Sequence, residues 1–281
     1  MNFKERMIVM DNFHVNVIAT GSSGNCLVVD HHIMIDCGIP KKKVLASHFN
    51  MDDLKLLLIT HRHGDHANLP FIRYCLQNNI HMYLPQAVVS MLQHEGKINI
   101  HDVKHLITLN ETLKPDHIAF DGFDYDIMLH PTDHYDITNF AFEINRSDGK
   151  NLLYATDLRS IDATEQAKGL ADLGKFDTLI LEGNYDENWL RLYINQTLKG
   201  LDPTWETERL TDDTLNKWIR TNRHQIPHAF SSSLFRAVQN MRHLSKQQAR
   251  LYARNHLKTN GRYYEVHRSS QFYEMPTDWG K

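Results

Sequence analysis

The segment Leu54–Ile59, apolar apart from Lys55, stops at Thr60-His61-Arg62-His63-Gly64-Asp65-His66. A strand without polar alternation must be covered on both faces, which demands a sheet with a layer on either side. Three imidazoles and a carboxylate within six residues then stand at the end of that buried strand. Nitrogen and oxygen donors without thiolates suit zinc, with manganese, iron or nickel as alternatives. An extended His61-x-His63 pair points two imidazoles the same way. Gly64 is expected to let the chain curl back, so that Asp65 and His66 reach a second ion. The chain holds 19 His among 281 residues, well above ordinary usage, yet even at that composition such a cluster rarely arises by chance.

Around this feature strands come first and helices later. The patterns predict strands over His14–Thr20, Cys26–Val29, His32–Asp36, Leu54–Ile59, His81–Leu84, Ile98–Ile100, His105–Leu109, His117–Phe120, Tyr125–His130, Ile137–Ile144, Leu152–Thr156, Thr178–Glu182 and Arg262–Val266. Helices are predicted over Lys41–Phe49, in two stretches between Pro70 and Gln93, and over Asn188–Leu198, Glu206–Arg223, Ser233–Arg242 and Ser245–Lys258. Gly21-Ser22-Ser23-Gly24-Asn25 reads as a turn, with an anion cradle as the alternative. Grouped strands followed by helices, without repeats or a long linker, argue for a layered α+β architecture. Residues 1–281 read as a single domain, with the acidic, helical Asp186–His228 as an insertion.

Composition removes several classes. Lys plus Arg is 31 against 34 for Asp plus Glu, so bulk charge does not hold the chain to nucleic acid or membrane. Met1–Arg6 lacks the apolar core of a signal peptide, and no apolar run approaches the roughly 20 residues of a bilayer span. Three cysteines in no zinc-finger spacing fit a reduced compartment. The expectation is a cytoplasmic protein without a membrane partner.

His61-x-His63-x-Asp65-His66 resembles the signature of the metallo-β-lactamase fold hydrolases. The likeness extends to Val17–Asp36, to His134 ahead of Asn139-Phe140-Ala141-Phe142, and to Tyr154-Ala155-Thr156-Asp157. Leu181-Glu182-Gly183-Asn184 and Arg242-His243-Leu244-Ser245 complete six motifs in order, most similar to the YycJ/WalJ-like and RNase Z-like branch. The resemblance implies a four-layer αββα sandwich, two mixed β-sheets flanked by helices. It implies two divalent ions, Zn2+ or alternatively Mn2+: one on His61, His63 and His134, the other on Asp65, His66 and His243, with Asp157 bridging. Such a pair lowers the pKa of a shared water and neutralises developing charge, so that no side-chain nucleophile is needed. Asp65 and Asp157 are then candidate catalytic carboxylates. Glu182 with His228 is the candidate pair for protonating the leaving oxygen, while Asp36 is expected to be a structural carboxylate. His63 argues against the flavodiiron oxidoreductases, which place Glu there. Tyr185 and Tyr135 depart from the branch pattern, as do the lack of a Pro near Asn139 and the insertion.

The helix after His243 carries Lys246, Arg250, Arg254 and Lys258 at i, i+4 spacing, a cationic stripe. Its functional reading is substrate-phosphate contact by Lys246, Arg250 and Arg254; the alternative is a solvated face. A nuclease acting on nucleic acid is the leading expectation. The alternatives are a phosphodiesterase on small cyclic nucleotides, as in anti-Pycsar enzymes, and a lactone, thioester or β-lactam hydrolase. A homodimer is expected by the same resemblance.

Overall fold

The computed structural model describes residues 12–95, 106–109, 116–120, 123–135, 137–162, 169–206, 210–269 and 271–275. Two six-stranded sheets face each other. The first places β1 (Val15–Ala19), β2 (Cys26–Val29), β3 (Ile33–Ile35), β4 (Leu56–Leu58), β5 (His81–Pro85) and β6 (Leu106–Leu109) side by side in chain order. The second is built from β7 (Asp116–Phe120), β8 (Phe123–His134), β9 (Ile137–Arg146), β10 (Asn151–Ala155), β11 (Phe176–Glu182) and β12 (Leu257–Val266), again in chain order.

Apolar side chains of both sheets alternate between two cores, which explains the unbroken runs. Ile33, Ile35, Leu56 and Leu58 point between the sheets and meet Phe140, Phe142, Leu152, Tyr154 and Ile180. Met34 and Leu57 point the other way, against α1 (Lys41–Ala46), α2 (Leu69–Gln77) and α3 (Gln86–His94). Leu153, Ala155, Leu179 and Leu181 similarly face α7 (Lys246–His256). The result is the expected helix–sheet–sheet–helix sandwich. A fourth apolar cluster joins α4 (Glu187–Leu201), α5 (Asp212–Thr221) and α6 (His228–Asn240) around Trp189, Tyr193 and Phe272. Tyr185, one of the departures from the branch pattern, is buried in this cluster. No helix among the described residues is long and apolar enough to cross a membrane.

Several boundaries differ from expectation for local reasons. α1 ends at Ala46, not Phe49, because Ser47 returns its hydroxyl to the Val44 carbonyl and His48 turns left-handed. β8 continues through Pro131 to His134 rather than stopping at His130. β7 pairs with β8 only as far as Ile127, so at Pro131 the missing N–H faces no partner. α5 begins at Asp212, where Thr211 and Thr214 form a reciprocal cap, rather than at Glu206. α6 starts at His228, behind Pro227, and α7 gives way at Leu257 to β12, which is longer than expected. The strand predicted over Ile98–Ile100 lies outside the described residues.

Candidate metal centre

β3 and β4 run parallel, as do β10, β11 and β12, so their C-terminal ends lie along one rim. β9 is antiparallel to both β8 and β10, which brings the end of β8 to the same rim. There the chain supplies Asp36 after β3, Thr60–His66 after β4, His134 closing β8, Asp157 after β10, Glu182 closing β11 and His267 after β12. Asp36, Tyr135, Asp157 and His267 have φ of 56°, 59°, 53° and 54°. Non-glycine residues rarely accept this left-handed conformation, and it turns the chain sharply at each strand end.

The His61–His66 turn is held from outside. Asn25 N–H donates to the Asp65 carbonyl and Cys37 N–H to that of His66. A Cβ on Gly38 would lie 1.7 Å from the Asp65 carbonyl oxygen, so the close approach of backbones falls at Gly38. The expected role of Gly64 is corrected: nothing lies within 4 Å of a Cβ there and its φ is not positive. Gly21–Asn25 is a turn, Gly24 N–H donating to the Gly21 carbonyl.

Buried Asp36 fixes two tautomers. It accepts from Thr60 N–H at 2.9 Å, the Thr60 hydroxyl at 3.0 Å, the Tyr154 hydroxyl at 3.1 Å and His66 Nδ1 at 2.7 Å. A carboxylate only accepts, so His66 carries its proton on Nδ1 and turns the Nε2 lone pair inward. Thr60 has spent its one proton on Asp36 and therefore accepts from His61 Nδ1 at 3.0 Å, freeing Nε2 of His61 as well.

Donor atoms of His61, His63, His134 and Asp157 all lie within 4.8 Å of one another. Those of Asp65, His66, Asp157 and His267 form a second such group, and Asp157, Glu182, His243 and His267 a third. Asp157 is common to all. Its Oδ2 lies 3.4 Å from His61 Nε2 and 3.2 Å from His66 Nε2, and its Oδ1 is 2.8 Å from His267 Nδ1.

Proton affinities divide the rings. Burial lowers His61 and brings His134 down to about 3. Burial would lower His267 too, but the Asp157 and Glu182 carboxylates raise it to about 10. His66 is likewise held well above its ordinary value by Asp157 and Asp36 against the effect of burial. Burial opposes the charge of Asp157, yet His267 and His66 keep it well below the usual carboxylate range. Glu182 is brought down to about 2 by His243 and His267, again against burial. This donor set fits divalent cations. Imidazole nitrogens and carboxylate oxygens converge without thiolates, buried carboxylate charge needs a counter-charge, and His134 Nδ1 has no hydrogen-bond partner.

Two expected assignments change. His267, not His243, stands with Asp65, His66 and Asp157. His243 follows α6, is partly exposed, and places Nδ1 3.1 Å from Glu182 Oε2. His228 is exposed in the first turn of α6 and belongs to none of the three groups, so Glu182 pairs with His243 and His267 instead. Glu182 itself is pinned by Oε1, which accepts from Leu158 N–H at 2.8 Å and Leu244 N–H at 3.0 Å. Nothing local marks His267 in the sequence, where it is a lone histidine following the strand predicted over Arg262–Val266. The cationic stripe is largely neutralised. Lys246 pairs with Asp186, Arg250 with Glu265 and Lys258 with Asp177, while Arg254 stays exposed.

One carboxylate of α5 ties the helical cluster to this rim. Asp212, 4% exposed, accepts from the Tyr135 hydroxyl and from Arg159 at 2.9 Å, and lies 3.9 Å from Arg242. Each partner neighbours a site residue: His134, Asp157 and His243.

A family model described as "Beta-lactamase superfamily domain" matches residues 31–210. The chain belongs to the beta-lactamase superfamily. Its membership, with this His- and Asp-rich centre, makes it a metal-dependent hydrolase. Among solved structures, the short form of human tRNase Z is 15% identical and matches 93% of this superfamily member and 99% of its own chain, with a TM-score of 0.51. A diphosphatase of the PhnP family is also 15% identical, over 91% of this chain and 86% of its own, with a TM-score of 0.52. At these identities the likeness concerns the fold alone. A search of curated proteins found no match.

Proposed function

We propose that this beta-lactamase superfamily member is a phosphodiesterase, a single domain carrying two divalent ions, zinc or alternatively manganese, and acting on nucleic acid. His61, His63, His134 and Asp157 would hold one ion, and Asp65, His66, His267 and Asp157 the other. Bound there, the ions would acidify water and neutralise charge on phosphoryl oxygen. The protein's own residues do the rest. Asp36 and Thr60 hold the His66 and His61 rings in their ligating tautomers, and Asp157 ties the two halves at a fixed spacing.

The observation that carries the reading is the His243–Glu182 pair beside the centre. An alkoxide leaves a phosphodiester poorly unless it is protonated. Glu182 accepts at His243 Nδ1, so the opposite nitrogen, Nε2, is turned away from it and can give a proton to the leaving oxygen. Glu182, fixed by two backbone amides, keeps the ring in that orientation.

A second reading, hydrolysis of a small cyclic nucleotide, is favoured by the ion pairs that neutralise the stripe expected to track a polymer. Mass spectrometry of products separates the two. The zinc- or manganese-loaded protein meets single- and double-stranded DNA, RNA and cyclic nucleotides, with Asp157→Ala as control. Short nucleotides from polymer support the nuclease, and linearised cyclic nucleotide with intact polymer supports the second reading. No diester cleaved at all would overturn both.

A further inference from the structure

A cavity of about 380 Å³ opens beside the centre, with His243 and His267 in its wall. That volume lies in the range of small-molecule sites, about 300–1,000 Å³. Its lining, among the described residues, contains neither a carboxylate nor a hydrocarbon side chain, and its charged residues besides the two histidines are Arg236 and Arg268. α6 is built for this. Leu234, Ala237 and Val238 bury one of its faces, while Arg236, Gln239 and Asn240 are presented to the cavity.

Neither guanidinium is neutralised by a dedicated partner. Arg236 makes no ion pair among the described residues. Arg268 lies over the Tyr273 ring at 4.9 Å and reaches Glu265 at 3.8 Å, whose oxygens are already taken by Arg250 at 2.8 Å, Tyr263 and Tyr273. Lys246, Lys258 and Arg146, by contrast, are each paired closely with a carboxylate. Both guanidiniums are solvent-exposed on the wall of one polar cavity, and their planar forks match phosphate.

The scissile phosphate is not that anion. It must reach the donor groups around Asp157, where bound cations would answer its charge.

We propose that the Arg236–Arg268 cavity binds a second phosphate of the substrate, next to the scissile one. This rests on the phosphodiesterase reading and sharpens it. The substrate class becomes a linear nucleotide chain with at least two phosphates, rather than a cyclic mononucleotide, a lactone or a β-lactam. The stripe on α7 then has no part in phosphate recognition, and α6 takes that role.

The test compares metal-loaded wild type with Arg236→Ala and Arg236→Lys. Its substrates are a dinucleotide with one phosphodiester and the same dinucleotide phosphorylated at its 5′ or its 3′ end. The wild type is expected to prefer one phosphorylated form by about tenfold or more in kcat/KM, as a charge-assisted contact allows. That ratio should collapse toward one in Arg236→Ala, and Arg236→Lys should recover only part of it. Calorimetry with a nucleoside 3′,5′-bisphosphate should show weaker binding to the Ala variant, and its thermal unfolding should match wild type. The proposal is overturned if the wild type cleaves all three dinucleotides alike, or if the ratio survives in Arg236→Ala. Failure to cleave any diester would overturn the phosphodiesterase reading, and this proposal with it.

Discussion

The two halves of the centre use the same side chain in opposite electrostatic settings. In the half formed by His61, His63 and His134, burial dominates and the rings are poor bases, His134 at about 3. In the half formed by Asp65, His66 and His267, carboxylates dominate and the rings hold protons tightly, His267 at about 10. The difference is where the carboxylates sit. Asp36 and Glu182 both stand behind the second half, and Asp157 lies between the two. An imidazole is therefore either an open ligand or a stored proton, according to what lies behind it.

The largest effect should come from the shared residue. Asp157→Ala strikes both halves, so metal analysis should find both ions lost and hydrolysis abolished. Retention of one ion at normal affinity would mean that the carboxylate is not shared. Next, His267→Ala and His243→Ala should part company. The first loses the ion of the carboxylate-rich half. The second keeps its metal content but loses turnover by about 10²–10⁴-fold, most on unactivated leaving groups. Equal metal loss in both variants would return His243 to the ligand set.

The comparison also predicts two pH responses. A cation entering the second half must displace the proton of His267, so its affinity should rise by up to about tenfold per pH unit as pH climbs toward 10. The first half, whose rings burial makes poorer bases, should bind with little dependence on pH above the ordinary imidazole value. Chelator competition across this range checks both. Without metal, the raised His267 also stabilises the fold. That contribution is complete below the unfolded value of 6.5 and is lost as the pH rises through 10, so the chelated protein should melt progressively lower over that window.

Smaller effects belong to the periphery. Asp212→Asn leaves Tyr135, Arg159 and Arg242 without their common charge. About 1–3 kcal/mol is expected, read as a melting shift of about 2–4 °C per kcal/mol. Hydrogen exchange should rise in α5 before it rises in the sheets. Lys246→Ala removes a partly exposed ion pair with Asp186 and should cost less than about 1 kcal/mol.

Much of the centre was legible because one continuous segment, Thr60–His66, carries four of its donors behind a buried apolar strand. His134 and Asp157 were readable from their positions just at or after strands. His267 was not, because the pairing that brings β12 beside β11 is a long-range parallel contact with no local signature. A lone histidine flanked by Val266 and Arg268 looks like any exposed loop residue until that register is known. His243 was visible as a site residue, but its distance from Asp65 depends on how α6 meets the rim. The cationic stripe misled for a related reason: spacing reveals a shared helix face, and says nothing of the acids Asp186, Asp177 and Glu265 that other elements bring to it.

The left-handed strand ends set what substitution can do at this rim. At Tyr135 the backbone accepts Gly, Asn or Asp readily and penalises Val, Ile or Thr, whatever contacts the side chain makes. Variation there is filtered first by conformation and only then by chemistry. Asp fits that backbone but gives up the hydroxyl bond to Asp212, while a β-branched residue would have to bend the strand end that aims His134.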